Sequence, residues 1–286
     1  MRILKNIFRH INFFASLIHI FMYLCRNFKA NIMKYIKDLH RLRVFRKKDV
    51  VSFIKDENVA KEILRRYKKQ GLISQVRRDL YVATDLATKA SLASKFEIAS
   101  HITPSSCLAH HAALEYHGLA HQVFYRLYVS SNQSFRNFDY DGIEYIFCRA
   151  TSEMGVVRPV TDNRVRVTDL ERTIVDCINR IDLSGGLDEL VQCLAITTYV
   201  NERKLFEYLN CFDKQFLYQK TGFILAYFQK EMKLSDDFFT FCRSKIGKST
   251  RYLTDSSASD TFFSDWKLCA PANILSFLEQ GGSEHV

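Results

Sequence analysis

From residue 33 onward, apolar side chains recur at helical spacing. Tyr35, Ile36, Leu39 and Leu42 fall on one side of a helix over 33–42, and Phe45 begins a break. Val50, Val51 and Ile54 mark a second helix over 48–55. The polar run Asp56-Glu57-Asn58 reads as a turn, with Asn58 as the expected N-cap of a third helix over 59–70. On that helix Val59, Ala60, Ile63, Leu64 and Tyr67 share an apolar face, with Lys61, Arg65, Lys68 and Lys69 on the other side. Gly71 suits the helix end. Apolar runs at 72–76 and 80–82 then flank the basic turn Arg77-Arg78-Asp79, the pattern of a β-hairpin.

The pattern changes after residue 83. The stretch 83–100 is small, polar and helix-compatible, and 84–100 reads as a linker. A helix is expected over 104–117, opened by Thr103 as cap with Pro104 in the first turn and closed by Gly118. Strands are expected at 125–130, 142–149 and 164–167. Helices follow at 169–180, 187–197, 201–210, 214–230 and 235–243, and the Ser/Thr/Asp-rich run 249–262 is loop-like. The expected fold class is α+β. A winged helix-turn-helix over 33–83 precedes a larger mixed domain over 101–286, with a small sheet and a helical C-terminal part.

Charge sharpens this division. Residues 1–82 carry 20 Lys and Arg against 6 Asp and Glu, whereas residues 83–286 carry 21 against 25. A basic head on a mildly acidic body is the footprint of a polyanion-binding module, and phosphates need cations where base edges need long forked donors. In a winged helix the third helix enters the major groove and the basic wing lies on the backbone or in the minor groove. The expected DNA contacts are therefore Lys47, Lys48, Lys61, Arg65, Lys68, Lys69, Arg77 and Arg78. A solvated basic surface, or a small helical protein-interaction domain, is the plainer account of the same residues.

The apolar run 11–25, flanked by Arg2, Lys5 and Arg9 before it and Arg26 and Lys29 after it, is short for a membrane span and has no small-x-small cleavage site. Residues 1–32 read as an upstream extension ahead of Met33, or as a loosely attached amphipathic helix, with no stable membrane association expected. The eight cysteines are scattered with none within four residues of another. No zinc-type pair exists, and single cysteines among apolar neighbours suit a reducing cytosol.

The chemistry-bearing groupings are modest. Thr168-x-x-Glu171 has the capping-box spacing, with Asp169 in the first turn; Ile174, Val175 and Ile178 would pack on a sheet, and Arg172 and Asp176, four apart, would pair on the helix surface. A catalytic role for Glu171, Arg172 and Asp176 would need a pocket and a metal. His110, His117 and His121 share a stripe only if the helix runs through Gly118, so a metal site is the lesser reading. Gly185-Gly186 lacks the lysine and spaced glycines of a phosphate loop and suits a tight turn. No catalytic triad can be assembled from spacing, and no cofactor is expected.

Three segments together carry a family resemblance. Lys69-Gln70-Gly71-Leu72-Ile73 with Arg77 to Val82 resembles the wing of AbiEi-type antitoxins. Cys107 to Leu119 is similar to the helix that opens their second domain. The most specific likeness is Val167-Thr168-Asp169-Leu170-Glu171-Arg172-Thr173-Ile174-Val175-Asp176-Cys177, followed by Ser184-Gly185-Gly186-Leu187-Asp188-Glu189-Leu190. The resemblance runs from about Met33 to Tyr227. It implies a non-enzymatic, cytoplasmic transcriptional repressor of a type IV toxin–antitoxin (abortive infection) system. Its head would bind operator DNA in its own promoter, and its body would counteract a nucleotidyltransferase-like toxin. Thr168, Asp169, Glu171, Arg172, Thr173, Asp176, Gly185 and Gly186 are its motif positions. Asp79 departs from the glycine usual in the wing turn; it tolerates left-handed geometry, but its charge opposes phosphate contact. The competing functions are a nuclease-like phage-defence enzyme with a DNA-targeting head, and a plain regulator whose C-terminal domain senses a ligand.

Overall fold

The computed structural model describes residues 35–254 and 260–280. The expected extension over 1–32, with its apolar run, lies outside the described residues. The chain is of mixed α and β class, and the described residues divide into two compact units that part between 93 and 94.

In the first unit the order is α1 (Ile36–Leu42), β1 (Val44–Phe45), α2 (Lys47–Ile54), α3 (Glu57–Lys69), β2 (Ile73–Arg77) and β3 (Leu80–Ala83). The strands form an antiparallel sheet in the order β1-β3-β2, with Val44 opposite Val82 and Ile73 opposite Ala83. Leu39, Phe45, Val50, Ala60 and Tyr67 are buried at its centre. α3 starts two residues earlier than its apolar face suggests. Asp56, not Asn58, is the N-cap: its carboxylate accepts the Val59 amide at 2.9 Å. Val59 then sits on the exposed side at 46% exposure, while Ala60, Ile63, Leu64 and Tyr67 are buried as expected. Gly71 takes φ +64° just past the helix, and Leu72 N–H returns to Tyr67 C=O at 2.9 Å.

The stretch 84–100 holds a turn and a short helix, and the boundary between the two units falls within it. Asp85 holds a turn by accepting the Ala87 and Thr88 amides, Thr84 bridges to Ser91, and Leu92 N–H bonds Ala83 C=O. In the second unit Lys95–Ser100 form α4, opened by a reciprocal box in which Ser94 Oγ accepts Glu97 N–H and Glu97 Oε2 accepts Ser94 N–H.

Pro104 opens no helix. Thr103 spends its hydroxyl on Ser106 (2.8 Å) and Ser131 (2.7 Å), Cys107–Leu108 form strand β4, and only His111–Tyr116 coil into α5. Sheet pairing overrides the local helix signal here, with Leu108 N–H bonded to Arg166 C=O at 2.8 Å. β4 belongs to a six-stranded mixed sheet in the order β6-β7-β5-β4-β9-β8. Its other strands are β5 (Arg126–Ser131), β6 (Phe138–Tyr140), β7 (Ile143–Arg149), β8 (Val156–Val157) and β9 (Val167–Thr168). β5 pairs β7 in parallel, and β4 pairs β9 in parallel.

The helical part comprises α6 (Leu170–Asn179), α7 (Leu187–Ala195), α8 (Glu202–Phe212), α9 (Gln215–Ala226), α10 (Gln229–Met232) and α11 (Asp236–Ser244). They bury Ile174, Leu190, Leu205, Phe223 and Phe238. Within and beyond the run expected as a loop lie β10 (Arg251–Tyr252), β11 (Asp260–Phe263) and β12 (Leu268–Pro271), a second three-stranded sheet, followed by α12 (Ser276–Gln280). Leu268 and Ala270 of β12 are fully buried, as is Ile274 beyond it.

Candidate functional site

The cations of the first unit differ in how firmly the fold holds them. Lys47 and Lys61 share Glu57, at 2.9 and 3.2 Å, and Arg65 forks onto Glu62 at 3.0 and 2.8 Å. These pairs are exposed, so they are weak and exchangeable for phosphate. Lys68 Nζ reaches Gln75 Oε1 at 2.7 Å and so ties α3 to β2. Lys48, Lys69 and Arg78 are exposed, while Arg77 is half-buried. Burial, then the neighbouring Arg46 charge, lowers the Arg77 pKa from its ordinary value.

Asp79 takes φ +58°, the left-handed geometry its side chain tolerates. Its carboxylate accepts the Lys47 amide at 3.0 Å, at the first turn of α2, and its carbonyl accepts from the Arg46 guanidinium at 3.3 Å. The negative charge is thus held against a helix N-terminus, where it is favourable.

In the second unit Thr168, Asp169, Glu171, Arg172, Thr173 and Asp176 stand at the start of α6, with two roles reassigned. Thr168 does not cap α6: its hydroxyl lies 2.8 Å from that of Thr173. The N-cap is Asp169, whose Oδ1 accepts the Arg172 amide at 3.0 Å. Its Oδ2 accepts Lys204 Nζ at 2.9 Å and Tyr208 OH at 2.6 Å. Glu171 closes no box with Thr168. It accepts the amide of Asn201 at 2.8 Å, and Asn201 is itself the N-cap of α8. Asp169 and Glu171 together therefore fix the start of α8 against the start of α6.

Arg172 and Asp176 pair at 2.9 Å, yet their side chains are only 4% and 7% exposed, so the pair is interior rather than on the helix surface. Arg172 also donates to Met154 C=O at 2.6 Å and to Thr151 Oγ1 at 3.1 Å. Burial pushes the Asp176 carboxyl up, against the pull of Arg172. Gly155, beside this pair, has φ +80°, and a Cβ there would lie 2.9 Å from Arg172 Cβ.

Gly185 and Gly186 both have positive φ, at +93° and +102°, and make the tight turn into α7. A Cβ on Gly185 would stand 2.7 Å from the Phe124 ring. The residue that this turn positions is Glu189, which sequence reasoning left without a role. It is fully buried. Its Oε1 lies 3.0 Å from His111 Nε2 and accepts the His121 and Gln122 amides, each at 3.0 Å. Burial pushes this carboxyl up, but the hydrogen bonds from His111, Gln122 and Cys193 outweigh it and hold it below its ordinary value. An acid one turn into a helix, following two glycines, was the available signal.

The three histidines do not converge. His117 Nε2 bonds Thr168 C=O at 2.8 Å, His121 lies 3.7 Å from Glu189, and His110 faces a cavity. Among the described residues no group of three or more His, Cys, Asp or Glu side chains is placed to hold a metal ion. The cysteines among them are free, and no helix among them is long and apolar enough to cross a membrane.

No family model matches the sequence, and no curated protein matches it. One solved structure, that of the RV2827C protein from Mycobacterium tuberculosis, is similar in fold at a TM-score of 0.61. Its sequence identity is 13%, over 88% of this chain and 95% of that one.

Proposed function

We propose that this protein is a DNA-binding transcriptional repressor and the antitoxin of a type IV toxin–antitoxin system. Its first unit then acts as a winged helix-turn-helix on operator DNA in its own promoter, and its second unit counteracts a nucleotidyltransferase-like toxin. The observation that carries the DNA reading is the element order of the first unit. A helix, a short strand, two helices and a hairpin close on a three-stranded sheet, and α3 holds its cations outward while Arg78 projects from the hairpin turn. A winged helix reads DNA with that helix and that hairpin. The antitoxin reading rests on the motif at 167–190, whose first part ties α6 to α8 and whose second part makes the turn into α7.

The test is an anisotropy titration of the full chain on the DNA upstream of its own gene across a range of salt. Affinity falls steeply with salt, and Lys69→Ala with Arg78→Ala reduces the slope of log affinity against log salt by about 2. A flat salt dependence, with the double variant binding as the parent does, overturns the DNA assignment. Growth on co-expression with the neighbouring toxin gene tests the antitoxin part.

A further inference from the structure

The second unit contains a cavity of about 450 Å³ whose floor is the β5–β7 pair and whose wall is α6. Parallel pairing sets Tyr128 beside Ile146 and Ser130 beside Cys148, so these four share one face of the sheet and line the cavity. Four cations also line it: Arg149, Arg172, Arg180 and Lys214. Two of them are matched. Arg172 is held by Asp176, and Arg180 by Asp182 at 2.6 Å. The other two are not. Arg149 donates to Asn132 C=O at 3.0 Å, Lys214 Nζ lies 5.8 Å from the Phe212 ring, and neither has an acidic partner among the described residues.

One more group faces this space. His110 Nδ1 is shielded from solvent and has no hydrogen-bond partner, and His110 is held at φ +53° immediately before α5. A shielded polar nitrogen without a partner is costly in a folded protein. Burial also lowers the His110 pKa, and the ring already has one hydrogen bond, to the Asp176 carbonyl, so in the neutral imidazole Nδ1 is left as an acceptor. The cavity thus has two cations without a carboxylate partner among the described residues, one of them a forked guanidinium donor, together with an imidazole and the Tyr128 ring.

We propose that this cavity is a binding site for a phosphate-bearing small molecule, with Arg149 and Lys214 as the phosphate contacts and His110 as a further hydrogen-bond partner. A guanidinium fork matches phosphate geometry, and an ammonium beside it supplies a point charge. The volume falls in the range of small-molecule sites and holds a mononucleotide; a duplex is far too large for it. The Tyr128 ring offers a face to a base. Free phosphate and the phosphate of a nucleotide share this chemistry. The site belongs to the second unit and stands whether or not the first unit binds DNA.

Calorimetric titration of the full chain tests it, with inorganic phosphate, adenosine monophosphate and adenosine as probes. Saturable binding of phosphate or of the monophosphate at millimolar or lower concentration is expected, with adenosine at least tenfold weaker than the monophosphate. A preference for the monophosphate over phosphate assigns a nucleotide site, and the reverse a free-phosphate site. Arg149→Ala and Lys214→Ala each weaken binding tenfold or more, and Arg149→Lys recovers part of the loss. Both residues are exposed, so folding is retained and is checked by circular dichroism. Lys230→Ala, an exposed cation of the same unit outside the cavity, leaves affinity unchanged. Absence of saturable binding, equal affinity for adenosine and the monophosphate, or parental affinity in both alanine variants overturns the proposal.

Discussion

At the scale of single residues, the polar positions of the 167–190 motif are interior hydrogen-bonding groups, and their burial makes them testable. Glu189 has the clearest sign. Its folded pKa lies below the ordinary 4.5, so its contribution to stability is present above the unfolded value and is lost as pH falls through the folded one. Asp176 has the opposite sign, since burial raises it and its charged form opposes folding as pH rises. Thermal melts from neutral to about pH 3 are expected to show an acid limb that Glu189→Gln flattens, because the amide cannot gain the proton. An unchanged acid limb in that variant removes Glu189 from the account. A second residue-scale prediction is steric. Gly222 of α9 lies under the Trp266 ring, which a Cβ would overlap. Gly222→Ala is therefore expected to cost about 3 kcal/mol or more by urea unfolding. Trp266→Phe in the same chain recovers part of that loss if the ring is the cause.

Elements were legible from the sequence in proportion to their length and periodicity. The helices 57–69, 170–179, 202–212 and 236–244 show an apolar stripe and were found within a few residues. Two of their caps were harder, because rival acceptors stand close together at the start: Asp56 and Asn58, Thr168 and Asp169. The incoming strand or turn, not the cap residue, decides which one reaches the free amides. The two-residue strands β4, β8 and β9 carry no periodicity at all, and β4 finds its parallel partner β9 far away in sequence. The same holds for the cavity. Arg149, Lys214 and His110 are separate in sequence, and only the sheet and α6 bring them together. The turn between β2 and β3 gives an element-scale prediction. Asp79 joins the hairpin to α2 through the Lys47 amide. Asp79→Ala is expected to lose about 1 kcal/mol as a capping acceptor, with added strain from its positive φ. Asp79→Asn keeps both the acceptor and the left-handed tolerance and stays near the parent. Equal losses in the two variants, read from denaturant midpoints, argue against this joint.

At the scale of the whole molecule, charge and cores divide at the same place. The first unit holds the excess of cations around one small core, and the second buries its own larger core and has the 167–190 motif and the cavity. If DNA binding belongs to the head and protection to the body, the two activities separate by mutation. Lys69→Ala with Arg78→Ala is the suitable variant, because both side chains are exposed and neither ties α3 to β2, as Lys68 does. Arg65 suits less well, since its loss also releases Glu62. The variant is expected to derepress a reporter driven by the protein's own promoter. It should still protect cells when the toxin is expressed from an unrelated promoter. That promoter is essential, because repression of the toxin gene alone would otherwise imitate protection. Arg172→Ala is the reciprocal change. It leaves an uncompensated buried Asp176 and is expected to cost about 3–5 kcal/mol in the second unit, so protection is lost while the head still binds operator DNA. Growth arrest with the head variant, the protein being folded and abundant, would make protection a consequence of repression, and a plain regulator with a ligand site in its second unit would then be the better reading.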